Sequence, residues 1–355
     1  KIKEGAFYAC MNLSDVTIPN SVTIIDEGAF KECTNLKNIT IPDSVTSIGA
    51  GAFEKCTNLT NVKIGKGVTK IGALAFSDTG IYKDSSNWEN NVLYIGNYLV
   101  EAKTSFSGKC EIKKGTRAIA DNAFYECADL VWVIFPDSLT AIGDSAFEEC
   151  EKLINLDFGN GLKTIGNDAF FACPTLKAIA LPDSVTSIGD FAFDFCENLY
   201  DITIGDNVES IGRSAFKNTG FSYKSSNWDE NVLYLNKYLV EAYRLIEGSY
   251  EIKDGTTVIA GSAFSEATRL TSIAIPDSVI SIGDYAFYKC PVLSDVTFSN
   301  NIKTIGDHAF SGCTHLGYYL FLNEVYKRMV CVESDDFGFY NRWHCCVKSS
   351  SYCDR

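Results

Sequence analysis

One spacing constrains this chain more than any other feature. An Ala-Phe pair recurs twelve times, its phenylalanine at Phe7, Phe30, Phe53, Phe76, Phe124, Phe147, Phe170, Phe193, Phe216, Phe264, Phe287 and Phe310. Successive copies lie 23 residues apart, except for two steps of 48. A fixed period of that length predicts a solenoid in which no copy can bury its apolar side alone and each must stack on its neighbours. The 355 residues therefore read as one repeat array, residues 1–316, followed by a C-terminal cap and tail, residues 317–355, rather than as two or three globular domains.

One copy, Leu36 to Cys56, shows how the repeat works. Ile39 and Ile41 alternate with Asn38 and Thr40 as a short strand with one buried face. Pro42, Asp43 and Ser44 turn the chain, Val45 and Ile48 point inward, and Gly49 allows a tight bend. Ala52, Phe53 and Cys56 suit one helical turn. The fold class is an α/β-type repeat solenoid, with a parallel β-sheet on one face, short helical or irregular turns on the other, and about fourteen coils.

The two long steps resemble each other. Residues 80–111 and 220–251 share S-S-N-W, N-V-L-Y and Y-L-V-E-A and lie 140 residues apart, the mark of a duplicated five-copy block. Each predicts a β-hairpin, turning at Gly96-Asn97 and at Asn236-Lys237. Beyond Cys313 the period fades. Leu322, Val325, Tyr326, Met329 and Val330 fall at helical spacing, as a cover for the end of the array would.

Nine of the fourteen cysteines stand three residues after a repeat phenylalanine, where other copies carry Thr79, Thr219 and Ala267. A position that accepts Ala and Thr wants a small buried side chain, so these read as free packed thiols. In the tail, Cys331, Cys345, Cys346 and Cys353 lack the paired spacing of a structural zinc site, and one or two disulfides are the favoured reading.

The net charge of −14 comes from acids and bases mixed along the repeats, without the basic stripe that nucleic acid requires. No apolar run is long enough to insert in a membrane. Turn aspartates recur as Asp43, Asp137, Asp183 and Asp277, without a calcium-loop pattern. His308 and His315 supply no catalytic constellation, so neither enzyme activity nor a cofactor is expected.

The copies Ile41–Gly49 (I-P-D-S-V-T-S-I-G), Leu181–Phe193 and Ile275–Phe287 resemble the BspA-like leucine-rich repeats of bacterial and protist surface proteins, and the inserts resemble that family's hairpin insertion. The resemblance implies a right-handed leucine-rich repeat superhelix. It also implies a secreted or cell-surface, non-enzymatic adhesin, monomeric, contacting an extracellular or host protein such as a matrix protein or receptor, or a glycan. A cell-envelope spacer without a specific ligand is the alternative.

Candidate binding residues lie where copies depart from the consensus. Outward strand positions include Asn38, Thr40, Asn155, Asp157, Asp201 and Thr203, and among these mostly small polar residues Trp132 and Ile134 stand out. The competing reading packs Trp132 under residues 88–101. Tyr94, Tyr98, Tyr234 and Tyr238 are further candidates in the inserts, about half of them exposed by strand alternation.

Overall fold

The computed structural model describes residues 1–298 and 300–316, and in addition the backbone of two short strands, Arg328–Met329 and Cys346–Val347. Two units can be distinguished: Lys1–Val208 with Phe216–Tyr223, and Glu209–Ala215 with Lys224–Arg355. Within each, the repeats stack as turns of a parallel-strand solenoid, about twelve turns among the described residues, which hold very little helix.

Each turn contributes to two strand columns. The longer strands pair at an offset of one repeat, Asn38–Ile41 with Asn61–Ile64, and farther along Ser107–Glu111 with Asp129–Ile134 and that with Asn155–Asp157. In the second unit Glu247–Glu251, Arg269–Ala274 and Asp295–Thr297 do the same. Ile39 and Ile41 are buried while Asn38 and Thr40 are exposed, as their alternation predicts. A shorter column stacks Ile24–Ile25, Ser47–Ile48 and Lys70–Ile71.

Between the columns run the Ala-Phe turns. Phe30 and Phe53 stack with ring centroids 5.3 Å apart and planes within 2°, and the column continues to Phe76. The Phe30 amide donates to the carbonyl of Ala52 in the next turn at 2.8 Å. This segment is not the expected helical turn. A left-handed residue stands two positions before and another two positions after each repeat phenylalanine, as with Gly51 (φ 57°) and Lys55 (φ 59°) around Phe53. Two such residues fold the chain back on itself instead of winding it into a helix.

Gly49 serves a purpose other than the bend expected of it. Its φ is not positive; instead, a β-carbon there would lie 2.4 Å from the Glu27 amide nitrogen of the preceding turn. The column Gly49, Gly72, Gly143, Gly166, Gly189 is thus where neighbouring backbones come closest.

The thiol column is free and buried from Cys33 onward, and Cys10 alone among its described members is exposed. Cys33, Cys56, Cys150, Cys173, Cys196, Cys290 and Cys313 donate to the phenylalanine carbonyl one turn back, Cys56 to Phe30 at 3.0 Å and Cys173 to Phe147 at 3.2 Å, whereas Cys127, which follows the first insert, donates to the Lys103 carbonyl at 3.5 Å. Thr79 and Thr219 replace cysteine for a specific reason. The Thr79 hydroxyl donates to the Phe76 carbonyl at 2.7 Å and accepts from the Tyr82 amide at 3.2 Å, capping the short helix Gly80–Lys83 that opens the insert. Thr219 does the same for Gly220–Tyr223.

Each insert has three antiparallel strands rather than two. Trp88–Glu89 pairs with Val92–Ile95, which pairs with Tyr98–Ala102, and the second insert repeats this with Trp228–Asp229, Val232–Leu235 and Tyr238–Ala242. The additional turn, Asn90-Asn91, has φ of 50° and 65°, the mirror-image geometry that suits a tight hairpin. Tyr98–Ala102 then joins the short column beside Ala118–Ile119. Asp121 nevertheless donates its amide to Ile71 across the insertion at 2.8 Å, so the insert enters as a wedge on one side.

At the C-terminal end Arg328–Met329 pairs antiparallel with Cys346–Val347, so Met329 lies on a strand and not on the expected helical face. Leu322, Val325, Tyr326 and Val330 lie outside the described residues, as do Cys331, Cys345 and Cys353 with their expected disulfides.

Candidate interaction surface

The outward positions of the long strands form a surface of short polar side chains. Asn38, Thr40, Asn155, Asp157, Asp201 and Thr203 are all exposed, held out by buried Ile39, Ile41 and Leu156 and half-buried Ile202. Short side chains lose little rotamer freedom when a partner covers them.

Trp132 and Ile134, half-buried, interrupt that surface on the central strand Asp129–Ile134. The Trp132 indole donates Nε1–H to Asp157 Oδ2 at 2.9 Å on one neighbouring strand. The Lys109 ammonium on the other lies 4.5 Å from the ring centroid. These partners belong to the adjoining long strands, not to residues 88–101 under which packing was the competing reading. The duplicated block supplies a further comparison. There Ser249, Ser272 and Thr297 stand where Lys109, Trp132 and Asp157 stand, with Ala274 in place of Ile134. The second insert is present and the strand forms without the indole, so folding around an insert does not require it.

The insert tyrosines fare differently. Tyr98 and Tyr238 are 1% and 0% exposed and belong to the core, which removes them as surface candidates. The Tyr98 hydroxyl donates to the Gly65 carbonyl at 2.6 Å, and burial pushes its pKa up. Tyr94 and Tyr234 are half-buried under cations: the ammonium of Lys113 lies 4.6 Å from the Tyr94 ring and that of Lys253 lies 4.5 Å from the Tyr234 ring. Lys113 and Lys253 in turn pair with Glu89 and Asp229. The tyrosine–lysine–carboxylate set is the same in both inserts and packs the hairpin edge. Trp88 is tied down by donation to the Tyr82 carbonyl at 2.7 Å.

On the turns, carboxylates and amides act locally. Asp121, Asp144 and Asn167 each accept the amide of the following copy at 2.8 Å, and Lys70 pairs with Asp144 at 2.5 Å. Burial, only partly offset by Lys70, raises the Asp121 carboxyl to about 6. Among the described residues, no three His, Cys, Asp or Glu side chains form a metal-holding group, and no helix is long and apolar enough to cross a membrane. His308 stacks on Tyr285 at 5.0 Å.

A second surface escaped the sequence reading. Phe195 is 44% exposed beside Phe171, over an open groove of about 730 Å³ that Glu149, Glu151, Ala172, Pro174 and Glu197 also line. The signal was present as an aromatic ring in a column that elsewhere carries small or polar residues such as Glu32, Lys55, Glu126, Glu149, Ala172 and Asn218.

A family model described as BspA type leucine-rich repeat region, six copies, matches residues 1–107, 117–247 and 243–329. Among solved structures, a leucine-rich repeat protein from Bacteroides ovatus is 25% identical, over 83% of this chain and 69% of its own, with a TM-score of 0.35. A leucine-rich cell surface protein from Faecalibacterium prausnitzii is 28% identical, over 85% of this chain and 72% of its own, with a TM-score of 0.30. No curated protein matches the chain.

Proposed function

Because this chain belongs to the BspA-type leucine-rich repeat family, we propose that it is a non-enzymatic protein-binding module, displayed at the cell surface or secreted, that engages an extracellular protein through the outward face of its long strands. The observation that carries this reading is the Lys109–Trp132–Asp157 set. An indole lies between a cation and a carboxylate on an otherwise short-chained polar face. Amphipathic rings with charges at their margin are the residues on which protein interfaces concentrate their energy. Ile134 on the same strand extends the apolar centre, and Asn155, Asp201 and Thr203 supply hydrogen-bonding groups around it.

Adhesion to a host or matrix protein is the form of this function that the family resemblance suggests. A pull-down from a panel of purified matrix proteins and glycans, with wild-type chain and Trp132→Ser, tests it. Serine occupies the equivalent place at Ser272, so the variant retains the fold. Capture by the wild type and its loss in the variant support the sheet face. Equal capture by both rejects Trp132, and no capture by either favours the spacer reading.

A further inference from the structure

The groove at Phe171 and Phe195 is built from features that folding does not explain. Phe195 sits at φ 58°, in the left-handed region, where a β-carbon strains the backbone. Its counterpart one block earlier is Lys55 at φ 59°, and the neighbouring turns carry Ala172 and Asn218 there, so the backbone shape requires no ring. Phe171 likewise stands where Lys31 and Ser311 stand in the equivalent turns. The two rings meet edge-on, centroids 5.4 Å apart and planes at 68°. Beneath them the buried Asp194 carboxylate accepts the Phe195 amide at 2.8 Å and the Asn218 side-chain amide at 2.9 Å, which fixes the turn that holds Phe195 outward.

Around this apolar floor the charge is one-sided. Glu149, Glu151 and Glu197 are exposed, and none of the three has an ion-pair partner among the described residues. Lys152, the cation at the rim, is committed to Asp129 at 2.6 Å. Unpaired carboxylates beside exposed rings complement a partner with cations next to apolar carbon. Arginine fits both parts, because its guanidinium stacks on an aromatic face and binds carboxylate through two hydrogen bonds.

We infer that this groove, on the turns and separate from the strand face, binds an extended segment of a partner protein in which arginine alternates with an aliphatic residue. The aliphatic side chain rests on Phe171 and Phe195, and the guanidinium groups reach Glu149, Glu151 and Glu197. The site is preformed, since Asp194 holds the turn before any partner arrives.

Fluorescence anisotropy with a labelled Arg-Leu repeat peptide tests this, with Glu-Leu and Arg-Ser repeats of the same length as comparison probes. The full chain is expected to bind Arg-Leu at least about tenfold tighter than either comparison peptide, with an affinity that falls as salt rises. Phe195→Asn is expected to weaken binding about tenfold, while its thermal midpoint stays at or above that of the wild type, because asparagine suits the left-handed turn. The combined variant Glu149→Gln, Glu151→Gln, Glu197→Gln is expected to weaken binding and flatten its salt dependence. Equal affinity for Arg-Leu and Glu-Leu, unchanged binding by Phe195→Asn, or no binding of Arg-Leu at about millimolar peptide overturns the proposal.

Discussion

The Cys173 thiol donates to the carbonyl of Phe147 at 3.2 Å, a bond that joins one turn of the solenoid to the turn before it. The same link recurs from Cys33 to Phe7 through Cys313 to Phe287, except at Cys127, whose thiol reaches the Lys103 carbonyl at the end of the first insert. The Phe147 carbonyl already accepts the Cys150 amide of its own turn at 3.4 Å, and in the dry centre of the stack no water is at hand for its second lone pair. Cysteine meets that need with a side chain small and apolar enough for the core. The thiol column is therefore an inter-turn fastening that requires no oxidation.

These thiols should resist alkylation. Burial pushes Cys56 up to about 12, so almost no thiolate exists at neutral pH. Brief iodoacetamide treatment of the native chain, followed by peptide mass spectrometry, should label Cys10 and spare Cys56, Cys150 and Cys173. Fast labelling of Cys56 would show that the column is open to solvent. Cys173→Ala should lower stability by about 1–3 kcal/mol in a denaturant titration, through the lost bond and the small void.

Two glycine substitutions should rank against conformational expectation. Gly28 has φ 56° with nothing closer to a new β-carbon than Lys31 Cβ at 3.9 Å, whereas Gly72 would place one 2.3 Å from the Ala50 amide nitrogen. Gly28→Ala should cost about 1 kcal/mol from backbone strain. Gly72→Ala should cost about 2–4 kcal/mol, because two backbones must separate. A thermal melt in which Gly28→Ala is the worse of the two would contradict the close-approach explanation.

Asp168 makes stability depend on pH in the less common direction. Burial, then the carboxylates of Glu148, Asp144, Asp190 and Asp194, raises its pKa to about 6. The folded chain thus holds this proton more tightly than the unfolded one. The group's contribution is greatest below about pH 4 and is lost as pH rises through about 6. Asp168→Asn should flatten that part of the profile. It should also stabilise the chain at pH 7 by about 1 kcal/mol once solvent screening is allowed for. Destabilisation at pH 7 would mean that the carboxylate has a favourable partner.

Tyr98→Phe isolates the bond that ties the first insert to the preceding turn. Its hydroxyl reaches Gly65 at 2.6 Å from a side chain 1% exposed. Removal should cost about 1–2 kcal/mol with little change in fold, and hydrogen exchange should quicken first in residues 92–102. Unchanged exchange there would show that the hairpin is anchored elsewhere.

The repeat was legible because each phenylalanine obeys one stacking geometry, and stacking requires a constant period. Tyr98 was not, because alternation assumes one wet face. The strand Tyr98–Ala102 is flanked by Val92–Ile95 and Ala118–Ile119, and Tyr98, Leu99 and Val100 are all buried. Gly49 could not be assigned either, since a sequence does not separate a glycine needed for its dihedral from one needed for proximity. The strand Trp88–Glu89 could have been read from Asn90-Asn91, a dipeptide suited to a tight hairpin. Of the surface, Trp132 stood out as an exception among polar residues. Phe195 did not, because phenylalanine is the commonest landmark of every copy and one more attracted no notice.

The wedge-like entry of the inserts bears on how such a chain is lengthened. Since Asp121 reaches Ile71 past the whole of the first insert, the segment between them takes up sequence without shifting the phase of the turns on either side. Gly261 reaches Ile211 past the second insert in the same way, at 2.9 Å. Each is a splice point at which the array tolerates foreign length, and a loop of another sequence grafted at the exposed turn Asn90-Asn91 would inherit a rigid frame whose register it does not disturb.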